Sequence, residues 1–330
     1  MGELNSKSKD YAGKLYRIFG LKMASDYAFT NRLLEGSGSP DIIFTCVDKK
    51  PISDNWLDAS PTFVIPGSSA DSESAISVHR MKDCCIVHFA RIVDFYLWPD
   101  RIISHLLDPA LRYLIEIRLL GEIFSLWLEL SGIPALHSSA VVVNGMAVAF
   151  LSSNHGGKSA LAATLMQRGH PLLTDDILPI VDCKGLFFGR AGYPQMRMWP
   201  DEAEYFLGHF SDLEIVHPWY TKRRVPVGQN GFGSFSGEDL PLGMFYIPIR
   251  KDIEDGEIRI DPISPRDAVI ELVRNSFSPL IVEALGLQKK RMEFFGRLAM
   301  SVKMRSLIYP SGFHHLPEVR EAIIEDIATI

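Results

Sequence analysis

The stretch Ser152-Ser153-Asn154-His155-Gly156-Gly157-Lys158-Ser159 constrains this chain more than any other. An apolar, strand-like run (146–151) precedes it, and good helix formers (ALAATLMQR, 160–168) follow it, closed by Gly169. A strand, a glycine-containing loop and a helix in that order aim backbone N–H groups and a helix N-terminus at anionic oxygens. Residues Ser153, Asn154, His155, Gly156, Gly157, Lys158, Ser159 and Ala160 are therefore expected to cradle phosphates. Lys158 would add a point charge at the β/γ-phosphates, and the Ser159 hydroxyl is of the type that ligates Mg²⁺. Phosphate loops usually carry glycine where Ser152 stands; Asn154 tolerates positive φ, which keeps the turn accessible.

Thr174-Asp175-Asp176 supplies the context. The helix ends at Gly169, and residues 170–173 resume an extended apolar run into the two aspartates. A right-handed crossover would set this strand beside the loop strand and bring its end to the phosphates. Two adjacent carboxylates can divide the work there, one holding Mg²⁺ and the other taking a proton from an incoming hydroxyl. Upstream, residues 139–143 and 146–151 are apolar runs joined by Asn144-Gly145, a strong hairpin signal. His137, at the start of the first run, would face the phosphates, face the acceptor hydroxyl, or serve as a hydrogen-bonded structural group.

The succession LHSSAVVV (136–143), FLSSNHGGKSALAATLMQRG (150–169) and PLLTDD (171–176) resembles the core of the HPr kinase/phosphorylase family. In appearance it is similar to the lasso-peptide precursor kinases within that group. Weaker likeness extends over residues 110–200, including GYPQMRMWP (192–200) with Arg197. The resemblance implies an α/β fold with a P-loop core shared with phosphoenolpyruvate carboxykinases. It implies an ATP- and Mg²⁺-dependent kinase acting on a serine hydroxyl of a peptide or small protein. By the same transfer, His137 and Asp175 lie at the acceptor hydroxyl, Lys158 at the phosphates, and Ser159 and Asp176 at the metal. Ser152 and His155 stand where the family has glycine, and its Arg-Gly-Leu-Gly signature is missing here. The expectation therefore stops short of HPr itself, the reverse reaction and the family's hexamer, leaving homo-oligomerisation open. A small-molecule hydroxyl kinase acting on free serine or a sugar, and a nucleotide-binding regulator that transfers nothing, stand as the alternatives.

A chain of 330 residues has interior enough for one large or two medium domains. Net charge −6 gives no electrostatic reason for a nucleic-acid partner. Long uncharged apolar stretches are missing from the sequence, and with them a membrane role. Met1-Gly2 opens a short acylation-like pattern that carries little weight, and the four cysteines fit reduced thiols and a cytoplasmic location. Residues 1–107, with short apolar runs between polar turns, are expected to form a β-rich N-terminal domain. Asp108-Pro109 then opens a helix to Ser131 and the kinase-like domain, 108–330.

Beyond the aspartates, Lys222-Arg223-Arg224 after Trp219-Tyr220 is either a solvated run or a basic loop that, with Arg197, contacts substrate. The stretch GQNGFGSFSG (228–237) is expected to be a mobile loop or lid. One helix is expected over 279–302, and His314-His315 on a strand, where the two rings would point apart.

Overall fold

The computed structural model describes residues 13–66, 75–152, 156–252 and 256–329. Ser153, Asn154 and His155 lie outside the described residues, as do residues 1–12, 67–74, 253–255 and 330.

Two large sheets organise a mixed α/β chain. The first has nine strands between Lys14 and Leu106, antiparallel except where Ile42–Val47 runs parallel to both its neighbours. Its apolar face carries Met23, Phe44, Val87, Phe95 and Ile102. The segment that follows packs on that face. It is one helical passage in pieces: a turn at Pro109–Leu111 capped by the Asp108 carboxylate, a helix at Tyr113–Arg118, a wider turn at Leu119–Ile123, and a helix at Phe124–Leu130. The distortion falls at Gly121, whose φ and ψ of −114° and −105° leave the helical region. Leu114, Ile115, Leu119, Ile123 and Phe124 join the sheet's side chains in one apolar cluster.

Two charges in this passage are buried and matched. Glu116 accepts from the backbone and side chains of Thr30 and Asn31. Glu129 pairs with Arg291 at 2.5 Å and accepts from the Ala135 N–H. Removing one partner of a pair buried this deeply typically costs about 3–5 kcal/mol, because the other charge is stranded.

The second sheet positions the site. Ala135–Val143 and Met146–Leu151 form a hairpin in register from Val143↔Met146 to Ser138↔Leu151. Asn144 and Gly145 take φ of 50° and 75° at its tip, the mirror-image turn that suits right-twisted strands. The other edge of Ala135–Val143 pairs first with Ile177–Cys183 and then with Leu172–Thr174. Residues 172–183 thus run as one strand broken at Asp175-Asp176, opposite Ser138 and Ser139.

Topology departs from expectation at this point. The loop strand and Leu172–Thr174 do run parallel to each other, since each is antiparallel to Ala135–Val143. They are not neighbours: the Asn144-Gly145 hairpin lays its first strand between them. On its free side the loop strand pairs in parallel with Leu240–Lys251. That long strand also meets Leu186–Gly189 and Lys303–Pro310, so the pairings close into a circuit.

Helix Lys158–Met166 is buried along all of its length except Ser159. Leu161 and Leu165 share a cluster with Val148, Phe150, Met196, Val319 and Ile323. Each such leucine contributes about 1.5–3 kcal/mol by leaving water.

Three other expectations are corrected. Residues 279–302 form two helices, Pro279–Ala284 and Gln288–Ser301, parted at Gly286 (φ 71°). His314 and His315 lie in a tight helical turn with ring centres 3.9 Å apart, not on a strand. The glycine-rich stretch is no free lid: Leu172 donates to the Ser234 carbonyl, Ser236 donates back to the Leu172 carbonyl, and Phe232 and Phe235 pack on the core. Glycine supplies its turns, and the two phenylalanines supply the burial that fixes it. Among the described residues no helix is long and apolar enough to cross a membrane.

Candidate active site

One pocket is lined by His137, Ser139, Gly156, Gly157, Lys158, Ser159, Asp175, Asp176, Trp199, Glu202 and Lys222. Strand alternation puts His137 and Ser139 on the same face of Ala135–Val143. The break in the neighbouring strand delivers the aspartates opposite them. Asp176 sits at φ 75°, a left-handed turn that Asp tolerates better than most side chains. Gly192 lets the chain pass close to Thr174, two residues before Asp176, since a Cβ on the glycine would lie 2.4 Å from the Thr174 hydroxyl.

The carboxylates have different surroundings. Asp175 is 9% exposed and accepts three hydrogen bonds. Its Oδ1 takes the hydroxyls of Ser139 at 2.5 Å and Ser159 at 3.1 Å, and its Oδ2 takes the Arg197 backbone N–H at 2.8 Å. Asp176 instead meets Arg197 Nη1 at 2.6 Å and His137 Nε2 at 3.0 Å. Burial alone would raise its pKa; the guanidinium and the histidine outweigh that and hold the carboxyl well below the usual range. Burial likewise opposes the charge on Arg197, yet Asp176 beside it keeps the guanidinium firmly protonated.

The Lys158 ammonium donates to the Ser152 carbonyl at 2.7 Å, closing the two ends of the loop on each other. Burial lowers its pKa to about 8, against the opposing pull of Asp176 and Asp175. Gly157 caps the helix at φ 83°, and a Cβ on it would sit 2.8 Å from the Tyr309 hydroxyl. Glu202, in the first turn of helix Pro200–Leu207, accepts the Trp199 N–H at 2.9 Å. Burial raises its pKa in spite of that bond and of Lys222 nearby.

The basic run is a strand, not a loop: Tyr220–Pro226 is the central member of a three-stranded sheet. Its cations part company accordingly. Lys222 lines the pocket, its ammonium 5.2 Å from the Trp199 ring centre. Arg223 lies over Phe210, and Arg224 bonds to the Thr30 hydroxyl at 3.0 Å. Arg197 is turned inward on Asp176. Ala160 follows the loop as a buried helix residue that faces an adjoining cavity. Ser139, Trp199 and Glu202 are site residues that sequence reasoning missed. Ser139 alone carried a signal, being two residues beyond His137 on a strand.

No family model matches the chain, and no curated protein matches it. Among solved structures, the HPr(Ser) kinase/phosphatase from Coxiella burnetii is similar over 59% of this chain and 96% of that one, at 14% identity and a TM-score of 0.32. Likeness of that size assigns no function and no residue, so a functional reading must stand on the pocket's own geometry.

Proposed function

We propose that this protein transfers the γ-phosphoryl group of ATP to a hydroxyl, the acceptor being a serine of a peptide or small protein. One observation carries the reading: a lysine and a serine at the start of a glycine-capped helix meet two aspartates and a histidine in one pocket. Phosphoryl transfer asks mainly for positioning and charge neutralisation, which such a set provides.

The hydrogen bonds favour a division of labour opposite to the one the resemblance implied. Ser159 and Asp175 present adjacent hard oxygens, the donor type Mg²⁺ takes along with phosphate oxygens. Among the described residues no three His, Cys, Asp or Glu side chains group to hold a metal by themselves, which suits an ion shared with a nucleotide. When bound there, Mg²⁺ would offset charge on the β- and γ-phosphates. Ser139 and the Arg197 N–H hold the Asp175 carboxylate in place. Asp176 and His137 then face the acceptor. The acceptor oxygen bonds to the γ-phosphorus as the bond to the β–γ bridging oxygen breaks, and the hydroxyl proton passes to His137, which the Asp176 carboxylate holds through Nε2. Lys158 follows the γ-phosphate, and Lys222 is the second cation within the pocket.

A peptide acceptor suits the two exposed aromatics that precede Thr221 and Lys222 in the chain, Trp219 at 49% and Tyr220 at 60%. A ribosomally made precursor, of the lasso type and ending in serine, fits this reading, as does a cytoplasmic setting where all four cysteines stay free. The test is ADP release with ATP and Mg²⁺ across three acceptor sets: serine-ended peptides, free serine, and sugars. Turnover with peptides that disappears in Lys158→Ala supports the proposal. Undiminished transfer in that variant sinks it, turnover with small alcohols alone moves the acceptor class, and ATP binding without transfer to any acceptor makes the protein a regulator.

A further inference from the structure

The phosphate pocket opens, past Gly157, Trp199 and Glu202, into a second cavity of about 540 Å³. Its other walls include Tyr309, Phe313, Thr221 and Arg250. We propose that this cavity holds the nucleoside of the phosphoryl donor, with Glu202 accepting the ribose hydroxyls; this rests on the ATP reading above.

Four observations carry the assignment. First, the volume falls within the roughly 300–1,000 Å³ typical of small-ligand sites. Second, the pocket has two ends. His137, Ser139, Asp175 and Asp176 line only the smaller chamber, whereas Gly157, Trp199 and Glu202 belong to both. A triphosphate lying over Lys158 with its γ-phosphate at His137 and Asp176 therefore points its α-phosphate and sugar into the larger chamber. Third, Trp199, Tyr309 and Phe313 give that chamber aromatic surface for a flat base, and Phe313 is already braced by Tyr205, stacked at 4.9 Å. Fourth, Glu202 stands where the chambers join. One of its oxygens is committed to the Trp199 N–H, which fixes the carboxylate's orientation. Its partial burial makes a hydrogen bond from a diol worth more than it would be in open water. A carboxylate there would be a poor neighbour for phosphate but a good acceptor for two vicinal hydroxyls.

The experiment compares three probes, ATP, 2′,3′-dideoxy-ATP and inorganic tripolyphosphate, each with Mg²⁺, on the full chain by calorimetry. The wild-type protein is expected to bind dideoxy-ATP about tenfold or more weakly than ATP. Glu202→Gln keeps an oxygen for the Trp199 N–H and is expected to shrink that difference, while tripolyphosphate, relieved of a nearby negative charge, binds at least as tightly as to the wild type. Thr221→Trp, at an exposed strand position, fills the larger chamber and is expected to weaken ATP about tenfold or more, again sparing tripolyphosphate. Equal losses for ATP and tripolyphosphate, or no loss for either, overturn the nucleoside assignment. A rise in acceptor KM with ATP affinity intact makes the chamber an acceptor site and overturns it as well. If neither ATP nor tripolyphosphate binds the wild-type chain, the failure belongs to the phosphate-loop reading itself.

Discussion

Lys158 offers a quantitative handle, because its charge is costly before a nucleotide arrives. Burial takes its pKa from an ordinary 10.5 to about 8. That difference corresponds to about 3 kcal/mol of disfavour for the buried ammonium in the folded chain. The folded protein releases this proton at lower pH than the unfolded chain does. The penalty is therefore fully present below about pH 8 and relieved as pH climbs from there toward 10.5, so this group's contribution to stability rises with pH across that window. Lys158→Met removes the penalty and is expected to abolish ATP binding without lowering Tm at pH 7. Phosphates over the ammonium should restore its usual basicity. At pH 8.5 only about a quarter of the free sites carry the proton, so binding should take up about 0.7 proton per ATP, against about 0.1 at pH 7. The terminal phosphate, with a second pKa near 6, is already ionised at the higher pH. Calorimetry at pH 7 and 8.5, in paired buffers of different ionisation enthalpy, reads this number directly. Uptake at pH 8.5 no larger than at pH 7 would refute the argument that Lys158 meets the phosphates.

Asp175→Asn is expected to weaken Mg²⁺-dependent ATP binding, whereas Asp176→Asn should bind ATP within a few-fold of wild type and lose roughly two to four orders of magnitude in transfer; identical defects in a titration of both variants would dissolve the division of labour. Among the basic residues, Lys222→Ala should raise acceptor KM or lower kcat at unchanged Tm. Arg223→Ala and Arg224→Ala should instead lower Tm by a few degrees and spare the kinetics, and the reverse pattern would mean that the strand presents all its cations to substrate. Gly157→Ala meets about 1–2 kcal/mol of left-handed strain together with a contact to the Tyr309 hydroxyl, so ATP affinity should fall, and adding Tyr309→Phe should recover only part of it; wild-type affinity in the single variant would contradict the loop geometry.

What could be seen in the sequence was local. Asn144-Gly145 marked a hairpin because both of its residues accept positive φ, and the helix after the loop was legible from composition and a closing glycine. The spacing of Lys158, Ser159 and the aspartates pointed to a single pocket for a similar reason, since a short helix and a short strand leave few other paths. What stayed hidden depended on pairings distant in sequence. The hairpin's first strand separates the loop strand from the aspartates, an outcome set by hydrogen-bond partners rather than by local propensity. Lys222, Arg223 and Arg224 looked like one basic patch; a strand turns Arg223 away from the other two, Arg224 is taken up by Thr30, and only Lys222 reaches the phosphate pocket. The glycine-rich stretch looked mobile by composition, while its two phenylalanines were what decided its fate. Glu202 gave no signal, since an acidic residue in the first turn of a helix is ordinary there.

The contact between Arg224 and Thr30 has a consequence for how this protein can be divided. Lys222, two residues before Arg224 on the same strand, lines the phosphate pocket, so the segment carrying Thr30, between two strands of the N-terminal sheet, is tied to the strand that reaches the pocket. Arg32 reaches the Gln229 carbonyl at 3.0 Å, a second rivet across the same seam. A chain cut at residue 108 would lose both ties and turn Leu114, Ile115, Leu119 and Phe124 out to solvent. The smallest piece that keeps the pocket in shape is accordingly larger than the piece that contains its residues.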